Sequence, residues 1–297
     1  MKKIPVTPVA PVVIALSLLL GDIAQAAAES ADPQPAAQGS ALIQTGYAPV
    51  NGLRIYFEIH GTASPALPPL VLLHGGGDTI TTSFGQILPE LARKRRVIAF
   101  EQQGYGHTAD IADRPFSFEQ SADDTAALLK HLHIDKADLF GFSNGGTIAL
   151  QVAIRHPEVV RRIVAASALL SRAGVDPGFW NFMANARLEN MPQELQQAYL
   201  SVAPQPENLR MFHDKAAERM RAFKDIPADA IRGITAPTLV VVGDADVIRP
   251  EHAVETFRLL PHAQLAVLPG TDHLQVTKRT EWLAPMIDEF LDASETR

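Results

Sequence analysis

The chain contains no cysteine in 297 residues. Disulfides, a thiolate nucleophile, cysteine-ligated zinc and an acylated lipoprotein cysteine are thereby excluded, although an exported protein needs none of them. A basic excess is missing too. With a formal net charge of -7 and a pI near 5.8, no positive field exists to gather nucleic acid or anionic lipid. Nor is any apolar run long enough to span a bilayer. The longest amino-terminal one, residues 9–20, falls well short of the roughly 20 apolar residues a spanning helix requires, so no stable membrane insertion is expected. What remains is a chain with 46% apolar and 20% charged residues, the balance of one large folded α/β domain with an insertion, acting on small molecules.

The short apolar run has a different reading. Lys2 and Lys3 precede it and Ala24-Gln25-Ala26 follows it, the charge, apolar core and small-residue pattern of a cleavable secretory signal. Residues 1–26 are therefore expected to be removed, placing the mature protein in the periplasm or outside the cell. Residues 27–44, rich in Ala, Pro, Gln and Ser, read as a flexible leader.

Asn51-Gly52 separates two alternating stretches, and this pair favours a two-residue hairpin turn because both positions tolerate positive φ. Continuous apolar runs follow at 70–73, 97–100, 137–140, 163–166, 238–242 and 264–268, as strands covered on both faces require. Between them, helical periodicity appears over 84–93, 118–131, 146–155, 251–260 and 280–291. Alternation of this kind implies a mostly parallel, doubly wound sheet of about eight strands. One interval, 169–231, has no strand-like run. It carries Phe179, Trp180, Phe182, Met183, Met191, Tyr199, Met211, Phe212, Met220 and Phe223, and is expected to form a helical cap between core segments 45–168 and 232–297.

Gly141-Phe142-Ser143-Asn144-Gly145 is G-x-S-x-G at a strand-to-helix junction, where flanking glycines admit a strained turn that presents the serine. A hydroxyl is a poor nucleophile at neutral pH, so it needs a base among the ten histidines. His273 follows the last apolar strand, on the edge where such sheets place their sites. His131, His133, His156, His213, His252 and His262 lie in helices or connections and are assigned to surface or structure. The imidazole needs an acid to set its tautomer. Asp244 and Asp246 both follow the preceding strand, and spacing alone leaves both open, while Asp272 is adjacent to the base and points elsewhere. His74-Gly75-Gly76-Gly77 follows the first long apolar run, where absent Cβ atoms allow backbone N–H groups to approach a substrate. The N–H of Asn144 is a second such donor. His74 stands without a second ligand at metal spacing, so it is read as orienting its loop rather than binding zinc.

Hairpin, His-Gly loop, G-x-S-x-G, insertion, Asp after a strand and His after the last strand: in this order the chain from about residue 46 onward resembles the α/β-hydrolase superfamily, single-domain serine esterases and lactonases with a helical cap. The resemblance implies Asp246, three residues after Gly243, as the acid, and Gly76 as the second oxyanion donor beside Asn144. It implies hydrolysis of an ester or lactone without metal or organic cofactor. Residues 101–108 resemble the family's D-x-x-G-x-G-x-S loop, with Glu101 in place of Asp and Thr108 in place of Ser. Gly75, Tyr105, Phe142, Trp180 and Phe182 are the candidates for lining the substrate pocket. The same motifs occur in carbon–carbon bond hydrolases and prolyl aminopeptidases, and in a noncatalytic ligand-binding protein on the same fold, so substrate does not follow from them. An aminopeptidase would need cap carboxylates, and Glu189, Glu194, Glu207 and Glu218 read instead as helix-surface residues.

Overall fold

The computed structural model describes residues 42–61 and 67–294. Residues 1–26, read above as a secretory signal, and nearly all of 27–44, read as a leader, lie outside them. Among the described residues no helix is long and apolar enough to cross a membrane. Eight strands, β1 (Leu42–Val50), β2 (Leu53–His60), β3 (Leu70–Leu73), β4 (Val97–Phe100), β5 (Ala137–Phe142), β6 (Val160–Ala166), β7 (Thr238–Ala245) and β8 (Ala263–Asp272), form one sheet in the order β1-β2-β4-β3-β5-β6-β7-β8. The pairs β1–β2 and β2–β4 are antiparallel and the remainder parallel. Asn51 and Gly52 both have positive φ, 48° and 83°, as the hairpin turn requires. The first strand starts at Leu42, so residues 42–44 belong to the sheet and not to the leader.

Both faces of the central strands are buried, which is why they read as unbroken apolar runs. Leu70 and Leu72 of β3, Phe140 of β5 and Val164 of β6 point into one core, while Val71, Leu73, Leu139 and Ile163 point into the other. The first core is covered by α1 (Ile80–Phe84), α2 (Leu88–Leu91) and α10 (Thr280–Asp292). The second lies under α3 (Phe118–His131), α4 (Asn144–Arg155), α8 (Ala228–Arg232) and α9 (Pro250–Leu259). The continuous helix expected over 84–93 is broken into α1 and α2. The N–H of Gly85 closes the first on Thr81, and Pro89 fits only the first turn of the second, where its missing N–H is not needed.

Between β6 and β7 come α5 (Pro177–Ala184), α6 (Gln193–Val202), α7 (Leu209–Arg221) and α8. The first three form the cap. Val175 bridges to Ile248, so the insertion is stitched to the loop after β7, close to the carboxyl edge of the sheet.

Candidate active site

Strand β5 turns into α4 through Ser143, whose φ of 54° and ψ of -118° lie outside the ordinary basins of a residue with a side chain. The strained turn is held by its N–H on the Ala166 carbonyl at 2.8 Å and by the Thr147 N–H on its own carbonyl at 3.1 Å. Both glycines of the motif have a steric reason. A Cβ on Gly141 would run into the Gly145 carbonyl, and one on Gly145 into the Leu73 carbonyl of β3.

His273 opens a 3-10 turn, His273–Lys278, directly after β8. Its Nε2 lies 3.0 Å from Ser143 Oγ and its Nδ1 lies 2.7 Å from Asp246 Oδ1. The Asp246 side chain is fully buried. Its Oδ1 also accepts the Ile248 N–H at 2.9 Å, and its Oδ2 accepts the Ser167 hydroxyl at 2.6 Å. Burial pushes this carboxyl upward, yet His273, Ser167 and Ile248 together outweigh burial and hold it below the usual carboxylate range. An ionised Asp246 keeps the proton of His273 on Nδ1, leaving the Nε2 lone pair facing the serine hydroxyl. Asp244 is engaged differently, its exposed carboxylate accepting the Thr271 N–H at 3.0 Å. Asp272 caps the 3-10 turn on the Gln275 N–H at 3.1 Å. The tertiary structure thus separates three aspartates that lie within 29 residues of one another in the chain.

The glycine loop after β3 is anchored by His74, which is fully buried. Its Nδ1–H donates to the Gly75 carbonyl at 2.9 Å and its Nε2 accepts the Gln102 N–H at 3.1 Å. Gly75 donates its own N–H to Ser83 Oγ at 3.0 Å. The N–H groups of Gly76 and Asn144 donate to no acceptor among the described residues, and both residues line the cavity above Ser143. Behind the loop, Tyr105 receives the Arg219 guanidinium on its hydroxyl at 2.8 Å. Burial raises the pKa of this hydroxyl, against the opposing effects of Arg219 and of the Gly77 N–H beside it.

That cavity has a volume of about 240 Å³. Ser143, His273, Ser167 and Ile248 supply part of its wall, and Phe179, Phe182, Met183, Met191, Leu195 and Met220 of the cap supply much of the rest. Of the five pocket candidates only Phe182 lines it. On α5 the inward positions are 179, 182 and 183, a three- and four-residue spacing, and Trp180 is rotated about 100° away from them. Trp180 instead donates its indole N–H to the Arg172 carbonyl at 2.7 Å, with the Arg172 guanidinium 3.8 Å above its ring. Tyr105 is buried behind the glycine loop against His74 and Phe212. Phe142 packs into the sheet core and supports the His273 ring at 5.1 Å. Gly75 is taken up by Ser83. Two polar wall residues escaped the sequence reading. His213, assigned above to structure, faces the cavity from α7. Its signal was the spacing of Phe212, His213, Ala216, Ala217 and Met220, one face of a helix. Ser167, one residue past β6, had no signal beyond its place at the carboxyl edge.

The family model for the alpha/beta hydrolase fold matches residues 68–226. The chain belongs to the α/β-hydrolase family. A 2-hydroxymuconate semialdehyde hydrolase of Pseudomonas sp. (strain CF600) is 31% identical to it over 248 residues, covering 75% of this chain and 86% of that protein. A proline iminopeptidase of Lactobacillus helveticus (strain DPC 4571) is 34% identical, covering 83% and 97%. The solved structure of a 2-hydroxy-6-oxo-6-phenylhexa-2,4-dienoate hydrolase from Rhodococcus sp. strain RHA1 superposes with a TM-score of 0.72 at 24% identity, over 86% of this chain and all of that one.

In this α/β hydrolase the exchanged residues of the 101–108 loop hold the loop rather than reach the cavity. Thr108 donates its hydroxyl to the Glu101 carbonyl at 2.7 Å and accepts the Tyr56 N–H at 2.9 Å. The longer Glu101 side chain folds back onto the His107 N–H and ring at 2.5 and 2.8 Å.

Burial of His74 lowers its pKa to about 4, against about 6.5 for an unfolded histidine. Above pH 6.5 both states are neutral and its contribution to stability is complete. As pH falls from about 6.5 through about 4 the unfolded chain takes up a proton that the folded one refuses, and about 3 kcal/mol is lost. Urea unfolding of the hydrolase at about pH 7 and pH 4.5 should show most of this loss, about 2 kcal/mol. His74→Gln should lose less over the same interval, since the contribution of His252, whose pKa burial also lowers, is common to both. Equal losses would show that His74 is not the source.

Proposed function

We propose that this hydrolase cleaves neutral carboxylic esters or lactones bearing an apolar chain, through an acyl-enzyme on Ser143. The observation that carries the reading is an apolar cavity that opens on the Ser143, His273 and Asp246 array and has no Arg, Lys, Asp or Glu among its wall residues.

In this reading Ser143 Oγ bonds the carbonyl carbon while its proton passes to His273 Nε2, and Asp246 stabilises the imidazolium that results. The carbonyl oxygen becomes an oxyanion facing the N–H groups of Gly76 and Asn144. Collapse expels the alkoxide, which takes the proton from His273. Water then gives its proton to the same nitrogen, attacks the acyl carbon and releases the acid from Ser143, whose oxygen recovers that proton. A lactone differs only in that its alcohol stays tethered to the acyl group.

The curated relatives supply two other chemistries, and the cavity supports neither as well. The semialdehyde hydrolase acts on a substrate that is an anion at neutral pH by its chemistry, for which a wall cation would be expected. A prolyl amine would call for a wall carboxylate, and Glu189, Glu194, Glu207 and Glu218 all lie outside the wall.

The reading is tested by kcat/KM for p-nitrophenyl esters of increasing chain length, lactones, a dienoate ketone and a prolyl anilide. Each methylene buried is worth at most about 0.8 kcal/mol, so preference should rise by up to about fourfold per carbon until the cavity is full. Phe182→Ala should shift the ratio between long and short esters by several-fold to about tenfold. Trp180→Ala, which strips a packed ring from Arg172, should lower Tm and leave that ratio in place. Turnover of the anilide or the dienoate with esters inert would overturn the proposal.

A further inference from the structure

Arg219 is 5% exposed. Its guanidinium finds no carboxylate among the described residues; Nη2 donates to the Tyr105 hydroxyl at 2.8 Å, and Nε has no partner. Its charge is met instead by three aromatic faces, with Cζ 5.7 Å from the ring centre of Tyr105, 5.9 Å from Phe116 and 5.1 Å from Phe118. Taking a cation out of water without an anion is unfavourable, and an aromatic cage offsets only part of the cost. A neutral side chain of similar length would fill this space with less penalty, so the charge calls for an explanation. Its surroundings supply one. Nη2 lies 3.8 Å from where a side chain on Gly76 would begin, while neither Arg219 nor Tyr105 is part of the cavity wall. The Tyr105 hydroxyl, fixed by Arg219, has the Gly77 N–H beside it.

We propose that Arg219, acting through the Tyr105 hydroxyl, is a positioning residue that braces the Gly76–Gly77 loop from behind, so that α7 of the cap sets the oxyanion donor. The inference rests on the ester-hydrolysis reading above. Arg219 touches no substrate atom. It holds the loop so that the Gly76 N–H needs no reorganisation when negative charge develops, and its positive charge beside Gly76 favours that charge further. The Asn144 side-chain amide packs on Gly76 at the same Cβ position that Arg219 approaches. The donor loop thus touches both the helix after the nucleophile and the cap.

The experiment compares wild type with R219M, R219K and Y105F, counting active sites by stoichiometric fluorophosphonate labelling and measuring kcat per labelled site, KM for one small ester, and the labelling rate. R219M should lower kcat per site by about 10- to 100-fold, below the full cost of an oxyanion donor because the N–H is displaced and not deleted. The labelling rate should fall in parallel and KM should stay within about twofold. R219K, which keeps charge and a donor, should recover part of the loss. Y105F should lower kcat per site by about 5- to 10-fold, and adding it to R219M should cost little more, because both act on one path. A side chain that only stabilises the fold would reduce Tm and the number of labelled sites while leaving kcat per site unchanged, and that result overturns the brace. Should R219M fail to fold, Y105F decides alone by the same criterion. A wild type that labels at Ser143 and turns over esters, with variants equal to it per site, removes only this inference. A wild type that does neither removes the ester-hydrolysis reading and the brace with it.

Discussion

Ser143→Ala and His273→Ala are each expected to lower kcat by about 10⁴- to 10⁶-fold, with KM for a short ester changing little. The two side chains form one proton path: at 3.0 Å from Nε2, the Ser143 hydroxyl can shed its proton only as it attacks. Removing either end abolishes covalent attack, so the double variant should be no slower than either single one. The residual rate would come from the Gly76 and Asn144 donors and from binding alone. Because the strained turn at residue 143 is held by backbone contacts to Ala166 and Thr147, both variants should keep the wild-type Tm within a few degrees. A fluorophosphonate should label wild type at Ser143 and leave Ser143→Ala unmarked. Equal labelling of the two proteins would move the nucleophile elsewhere in the chain.

Asp246→Asn should cost about 10²-fold or more in kcat/KM, and Asp244→Asn only a few-fold. Where an amide replaces the acid of a serine-protease triad, the loss comes from a mis-set imidazole tautomer. Here the neighbours of the residue constrain the amide differently. The Ile248 N–H points at Oδ1 and can be met only by the amide oxygen, which keeps an acceptor opposite His273 Nδ1. The amide nitrogen then falls at the Oδ2 position, where the Ser167 hydroxyl can turn round and accept. What is lost is chiefly the negative charge that stabilises the imidazolium. Asp244 holds only the Thr271 N–H from an exposed position, so its loss loosens the 270–272 turn without touching the ring. Matched kinetics of the two folded variants check the assignment. A larger loss for Asp244→Asn would make Asp246 a structural carboxylate.

Several features could be read along the chain because their causes are local. The positive φ values of Asn51 and Gly52 belong to a two-residue turn that short-range sterics alone select. Doubly buried strands announce themselves as apolar runs at 70–73 and 97–100, and β3 and β4 coincide with them. At 141–145 the glycines and serine mark a corner whose contacts lie within the motif and the adjacent strand. The resemblance also ranked Asp246 above Asp244, which spacing along the chain left level.

Elsewhere the answer depended on how distant elements pack. An apolar cap was legible from composition, but composition does not say which way a helix is rotated. Only the docking of α5 turns Phe182 to the cavity and Trp180 to Arg172. His213 changed from a structural residue to a wall residue for the same reason. The Ser167 hydroxyl reaches Asp246 across 79 residues of chain, and Arg219 reaches Tyr105 across 114. Sequence alone thus determined the turns, the buried strands and the serine at its corner, where the deciding forces act within a few residues. Tertiary structure alone decided which cap residues face the cavity and what stands behind the donor loop, because hydrogen bonds and ring contacts extend only a few ångströms and exist only once packing brings the strand ends and the cap together.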